Sequence, residues 1–70
     1  MPYINVKMYP GRTEEQKREL ARRIVQDVME VCGISQPSLV PVVIEEVPPE
    51  EWSATVGPEL EAKRDLAYYS

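Results

Sequence analysis

The hydrophobic pattern of this chain changes its period once, at the turn formed by Pro10 and Gly11. Before the turn, the apolar residues Ile4, Val6 and Met8 occupy every second position, which is the period of a half-buried strand. After the turn, apolar residues recur every three or four positions, which is the period of an amphipathic helix. The first half of the chain is therefore predicted to form a strand from Pro2 to Met8 and then a helix.

The boundaries of the helix are marked by two local signals. Thr13 and Gln16 have the spacing of a capping box, so the helix is predicted to begin at Glu14, and Gly33 can supply the left-handed residue that ends it. Cys32 is predicted to be inert packing on the apolar face. That face consists of Leu20, Ala21, Ile24, Val25, Val28, Val31 and Cys32.

A second strand is predicted over residues 39–47, because the apolar run at residues 39–44 shows no alternation. Such a run indicates a strand that is covered on both faces. Strand, helix and strand in this order form a right-handed parallel unit with the helix on one face of the sheet. Too little chain remains to cover the other face, so we expect another subunit to cover it.

The remaining third of the chain carries weaker signals. Pro48 and Pro49 predict a stiff turn that leads into about one turn of helix. Residues 53–58 are predicted to form a loop, residues 59–66 a short helix, and residues 67–70 a tail. We see no domain boundary and predict one domain over residues 1–70.

Composition excludes several classes of function. The chain has no histidine and one cysteine, so the common zinc sites and the Ser-His and Cys-His nucleophile pairs are excluded. A net charge of −4 argues against a nucleic-acid partner. The sequence has neither a membrane-spanning apolar run nor a signal peptide, so we expect a cytoplasmic protein. Because the common zinc sites are excluded, we also expect no metal, and we expect no cofactor.

Pro2 is the first candidate for catalysis. Initiator methionines are usually removed before a small residue, and loss of Met1 would leave the chain with a secondary amine at Pro2. Desolvation or a nearby cation lowers the pKa of an amine toward neutral pH, where a general base works best. The alternative is that proline is simply tolerated at the first position of a strand.

The combination of Pro2 before an apolar strand, the segment Gly11-Arg12-Thr13-Glu14-Glu15-Gln16 at the start of the helix, and Trp52 after the second strand resembles the 4-oxalocrotonate tautomerase family. The resemblance implies a small β-α-β subunit whose two-stranded parallel sheet is extended by oligomerisation. It also implies that the amino-terminal proline is the base, that Arg12 binds the substrate carboxylate and that Trp52 lines an apolar site.

One family position is not matched. The second-strand arginine of the family falls at Pro41, so the resemblance implies a monocarboxylate substrate. With Trp52 present and the second-strand arginine missing, the sequence most resembles a dimeric subgroup that acts on phenylpyruvate-like compounds. A homodimer is thus favoured, and a hexamer is the alternative.

The length of the first strand predicts that the site is shared between subunits. Residues 2–8 span roughly 20 Å, which is farther than an arginine side chain reaches. Arg12 and Trp52 follow the carboxyl ends of the strands, whereas Pro2 lies at the opposite edge of the sheet. Pro2 of one chain must therefore meet Arg12 and Trp52 of a neighbouring chain. Two alternatives are open, a proline-amine hydratase or dehalogenase and a non-catalytic oligomeric β-α-β module.

Overall fold

The computed structural model describes residues 1–69 and has the predicted strand-helix-strand order, followed by a second helix. Ser70, the last residue of the predicted tail, lies outside the described residues. The strands are β1 (Ile4–Met8) and β2 (Val42–Glu46), the helices are α1 (Glu14–Cys32) and α2 (Pro49–Ala62), and short 3-10 turns occur at Pro37–Leu39 and Arg64–Leu66.

The two strands pair in parallel, as the sequence predicts, with Ile4 opposite Val42 and Met8 opposite Glu46. The Ile4 N–H also donates to the Pro41 carbonyl at 3.0 Å. The second strand is shorter than the predicted range of residues 39–47, because residues 37–39 form the first 3-10 turn. The nitrogen of Pro41 has no hydrogen to donate, so regular pairing begins only at the next residue.

Helix α1 begins and ends at the predicted residues. The Gln16 N–H donates to Thr13 Oγ1 at 3.0 Å, and the Thr13 N–H donates to Gln16 Oε1 at 2.9 Å, which completes the capping box. Gly33 has a φ of 69° at the carboxyl end, a left-handed conformation that favours glycine. One face of the helix packs against β2.

The predicted apolar face is wrong in the last turn of α1. Val31 is 84% exposed and Cys32 is also exposed, so the cysteine is not packed inside the protein. A helix of 19 residues is about 28 Å long, whereas a strand of five residues covers about 17 Å. The last turn of α1 therefore extends beyond the sheet.

Helix α2 corrects the predictions for residues 53–58 and 59–66, because one helix runs through the predicted loop and ends at Ala62, and a separate 3-10 turn follows at Arg64–Leu66. Pro49 occupies its first turn, where no N–H is needed, but Pro58 lies inside the helix. Val56, on the same face as Trp52, is only 6% exposed. Burial of this face outweighs the local preference of Gly57 and Pro58 for a turn.

The subunit is thin and its core is small. Its dimensions are 38 × 32 × 16 Å, and the radius of gyration of 13.6 Å exceeds the roughly 11 Å typical of a 70-residue domain. Its accessible surface is 5712 Å², against roughly 4,500 Å² for a folded monomer of 8.0 kDa. On the sheet face away from α1, Tyr3 and Val43 remain 64% and 41% exposed.

Candidate active site

A cavity of about 350 Å³ lies at the edge of the sheet where β1 and β2 end. Arg12 comes from the segment after β1, and Trp52 comes from the first turns of α2, which follows β2. Parallel pairing brings the carboxyl ends of both strands to one edge, so two residues far apart in sequence line one cavity. Its lining residues are Lys7, Met8, Tyr9, Arg12 and Trp52.

Two aromatic rings form part of the cavity wall. The rings of Tyr9 and Trp52 meet edge to face, with centroids 4.9 Å apart and an angle of 88° between their planes. This arrangement is favoured by the ring quadrupoles and adds to the gain from apolar burial. The contact joins the end of β1 to α2 and fixes the indole beside Arg12.

Lys7 takes part in a charged network that links β1 to α2. Its ammonium contacts Glu59 Oε2 at 2.5 Å, and Lys63 contacts the other oxygen of Glu59 at 3.1 Å. The hydrogen bond to Glu59 raises the pKa of Lys7, and the bonds from Lys7 and Lys63 lower the pKa of Glu59. The network therefore contains two cations and one carboxylate at neutral pH.

A second cavity, of about 490 Å³, lies on the other side of Lys7 and Trp52. Its floor is the sheet face away from α1, represented by Tyr3 and Asn5, and its wall is α2, represented by Val56 and Leu60. Lys7 and Trp52 line both cavities, so they form the boundary between them.

A larger groove, of about 680 Å³, runs along the exposed side of α1. It is lined only by the cap Thr13 and residues of α1 itself, so no second element encloses a ligand there. Glu19 accepts hydrogen bonds from Arg22 and Arg23, which lower the pKa of its carboxyl to about 2. Arg22 and Arg23 are thus exposed and paired with a neighbouring carboxylate on the same helix, so the groove is a weaker candidate than the cavity.

Pro2 lies two residues before β1, at the edge of the sheet opposite Arg12. Pro41 lies at the same edge as Pro2, because its carbonyl accepts the hydrogen bond from Ile4. The structure therefore brings together Arg12 and Trp52 within one chain and separates both from Pro2. Met1, which precedes Pro2, is 90% exposed.

Three residues of the cavity, Lys7, Met8 and Tyr9, were not identified from the sequence as site residues. Lys7 alternates with the apolar residues of β1, which predicts only that it lies on the opposite face. Its proximity to Trp52 depends on where α2 packs, and the sequence pattern predicted only separate short helical pieces there. Tyr9 directly follows the strand, and this position was the one local signal that could have indicated it.

Residues 1–69 contain no group of three or more His, Cys, Asp and Glu side chains arranged to hold a metal ion. Neither helix in this part of the chain combines the length and apolar character needed to cross a membrane.

Comparison with known proteins identifies the family. The family described as tautomerase enzyme matches residues 2–66. A probable tautomerase of Xylella fastidiosa is 42% identical over 62 residues, which cover 87% of this chain and 74% of that protein. The 2-hydroxymuconate tautomerase of Bacillus subtilis is 49% identical over 47 residues, covering 67% and 74% of the two chains. That of Pseudomonas putida is 38% identical over 52 residues, covering 74% and 81%. The chain belongs to the tautomerase family and is an isomerase.

Proposed function

We propose that this tautomerase moves a proton between the enol and keto forms of a small 2-oxo or 2-hydroxyalkenoate acid, with Pro2 as the base once Met1 is removed. The observation that carries the proposal is the cavity shared by Arg12 and Trp52. Arginine suits planar, two-point binding of a carboxylate, and an indole excludes water beside it. The names of the relatives from Bacillus subtilis and Pseudomonas putida support this substrate class.

The proposed base requires a free amine at Pro2. Met1 is 90% exposed, so a processing enzyme has access to the bond after it. An α-amino group ordinarily has a pKa of about 7.7 to 8.0, and an apolar wall or a nearby cation lowers it. A neutral amine at physiological pH can then accept a proton.

The proposed reaction has two proton transfers. Neutral Pro2 takes the hydroxyl proton of the enol, and the electrons of that O–H bond form the carbonyl at C2. The electrons of the C2–C3 double bond move to the carbon that will be protonated, which is C3 in an arylenolpyruvate and C5 in a conjugated dienol, where the double bond moves to C3–C4. The prolinium then returns the proton to that carbon and regenerates the neutral amine. Arg12 holds the carboxylate throughout, and Trp52 keeps the site dry.

We infer that the site is completed by a second subunit. Pro2 and Arg12 lie at opposite ends of a strand, roughly 20 Å apart at 3.3 Å per residue. The subunit exposes about 1,200 Å² more surface than a typical monomer of its mass, which exceeds the roughly 800 Å² that each partner buries in a standard interface. An antiparallel pair of subunits would cover the open sheet face and bring Pro2 to the partner's cavity. A dimer is favoured, and a hexamer is the alternative.

A monocarboxylate fits this site better than a dicarboxylate. Arg12 is the only arginine that lines the cavity within the described residues, and Pro41 occupies the position where the resemblance implies a second one. An arylenolpyruvate has one carboxylate for Arg12 and an apolar ring for Trp52. Such phenylpyruvate-like acids are therefore the proposed preferred substrates.

The test is ultraviolet-monitored ketonisation of phenylenolpyruvate and 2-hydroxymuconate, with loss of Met1 verified by intact mass. We expect a rate well above that in buffer, with phenylenolpyruvate preferred. Pro2→Ala should lower kcat by about 100-fold without abolishing turnover, since a primary amine remains. Arg12→Ala should mainly raise KM, because the carboxylate is bound in both the ground state and the transition state.

Arg18→Ala is the matched control, because Arg18 is an exposed arginine of α1 outside the cavity. It should leave both kinetic constants unchanged within about two-fold. Full activity in Pro2→Ala would refute the proposed base. Full activity in protein diluted to monomers would refute the shared site.

A further inference from the structure

Lys7 is the second cation of the Arg12 cavity. It lies next to the last residue of β1, its side chain is 30% exposed, and it lines the cavity together with Arg12 and Trp52. The established family membership and the proposed role of Arg12 do not assign a task to this lysine. A half-buried ammonium beside a carboxylate-binding arginine has the chemistry to bind a further oxygen of the same ligand.

The contact with Glu59 fixes the position of the Lys7 ammonium. The Nζ atom lies 2.5 Å from Glu59 Oε2, and Glu59 is itself held by Lys63 at 3.1 Å. An ammonium has three N–H donors, so one bond to Glu59 leaves donors for a ligand. The hydrogen bond to Glu59 also raises the pKa of Lys7, so the ammonium stays charged at neutral pH.

We infer that Lys7 is a specificity-determining residue that donates a hydrogen bond to the C2 oxygen of the acid whose carboxylate Arg12 binds. The inference rests on the proposed function and deepens it. In a 2-oxo acid the carboxylate and the C2 oxygen sit on adjacent carbons, so two neighbouring cations can bind them together. The C2 oxygen gains negative charge as its proton leaves, and a fixed ammonium stabilises that charge.

Lys7 could instead have a purely structural role, in which it only holds Glu59. Comparison with Lys63 distinguishes this role from substrate binding. Both lysines bind Glu59, but only Lys7 also lines the Arg12 cavity, whereas Lys63 lines the neighbouring one. Lys63 bonds Glu59 from the end of α2 itself, so only Lys7 joins α2 to β1. If Lys7 has only this structural role, its removal should weaken the binding of ligands with and without a C2 oxygen alike. If Lys7 binds substrate, its removal should affect ligands that carry a C2 oxygen.

The experiment compares the binding of 2-oxohexanoate and hexanoate, which differ at C2, to full-length protein without Met1. Trp52 is the single tryptophan, so its fluorescence reports binding in the cavity. We expect Lys7→Met to weaken the binding of 2-oxohexanoate at least ten-fold and to change the affinity for hexanoate less than two-fold. Lys63→Met should change the affinity for neither acid more than two-fold. Lys7→Arg should still bind the 2-oxo acid more tightly than hexanoate. Arg12→Ala should weaken both.

An equal loss for both acids in Lys7→Met, or the same loss in Lys63→Met, would overturn the inference in favour of a structural role. A wild type with no preference for 2-oxohexanoate would also overturn it. Because binding needs no turnover, failure of the proposed function is seen separately, as ketonisation that is absent or independent of Pro2. Urea unfolding of each variant shows that it is folded before its binding is compared.

Discussion

The two helices of this protein are held in place in different ways. Helix α1 has a capping box at Thr13 and Gln16, a glycine stop at Gly33, and a long face against β2. Helix α2 begins at a proline without a side-chain cap and contains Pro58 in its interior. It is positioned by tertiary contacts of Val56, of Trp52 with Tyr9, and of Glu59 with Lys7.

This difference separates stability from function. Changes in α1 should alter folding and leave the chemistry unaffected, because neither the cap Thr13 nor any residue of α1 lines the cavity. Changes in α2 should alter both, because the contacts that position it also line the cavity at Lys7 and Trp52. The following predictions test that division, at fixed protein concentration since oligomers gain stability by mass action.

The largest effect is expected from Val56→Asp. Val56 is 6% exposed, so the carboxylate would be buried without a partner and the folded state should lose about 3 to 5 kcal/mol. Urea unfolding and a red shift of Trp52 fluorescence would measure the release of α2. The matched control is Val31→Asp on α1, where the side chain is 84% exposed and the change should stay within about 0.5 kcal/mol. Equal losses in both variants would contradict the division.

The next effect is a gain in stability from Pro58→Ala. A proline inside a helix destabilises the folded state by about 3 kcal/mol relative to alanine. Its replacement also makes the unfolded chain more flexible, which lowers the stability by up to about 1 kcal/mol. The net expectation is a stabilisation of about 2 kcal/mol, measured by urea unfolding. Pro10→Ala, in the turn before α1, lies outside any helix and is the control that should show no such gain. A loss of stability in Pro58→Ala would mean that α2 requires the proline.

Thr13→Ala should destabilise the protein by about 1 kcal/mol, because the Gln16 N–H loses its cap. Its kcat/KM should stay within about two-fold of the wild type, since α1 does not line the cavity. Thr55→Ala in α2 is the matched control. The Thr55 hydroxyl bonds back to the Glu51 carbonyl at 2.8 Å, a contact that does not cap a helix end, so we expect almost no change in stability. A larger loss in the control would refute the capping argument.

The smallest effect concerns pH. The pKa of Glu59 is lowered from its ordinary 4.5 by hydrogen bonds from Lys7 and Lys63. A lowered carboxyl pKa contributes stability that is present above pH 4.5 and is lost as pH falls through the folded value. Glu59→Gln should therefore flatten the acid limb of the Trp52 fluorescence titration. Glu61→Gln, which removes an exposed pair with Arg64, should leave the limb unchanged.

The sequence predicted the parts of the fold that depend on local signals. The alternation in β1, the capping box of α1 and the stop at Gly33 each act within a few residues, and all three are present in the structure. The path of residues 53–58 could not be predicted in this way, because Gly57 and Pro58 favour a turn locally. Only the burial of Val56 against the rest of the subunit explains the helix there.

The site shows the same limit. The pairing of Arg12 with Trp52 followed from the parallel order of the strands, which the sequence predicts. The contact of Lys7 with the same cavity depends on α2, so the pattern of β1 alone could not indicate it, whereas the position of Tyr9 after the strand was a local signal. The roles of Pro2, Arg12 and Trp52 in catalysis stay predictions, and the experiments above test them.

The parallel register has a consequence for mixtures of two impaired variants. Pro2 and Arg12 sit at opposite edges of one sheet, so in the proposed two-fold dimer each site takes one of them from each chain. A Pro2→Ala chain still contributes an intact Arg12, and an Arg12→Ala chain still contributes an intact Pro2. Random exchange of equal amounts makes half of the dimers mixed, and each mixed dimer has one intact site, so about a quarter of all sites recover. Two impaired preparations would then complement each other, which sites built within one chain cannot do.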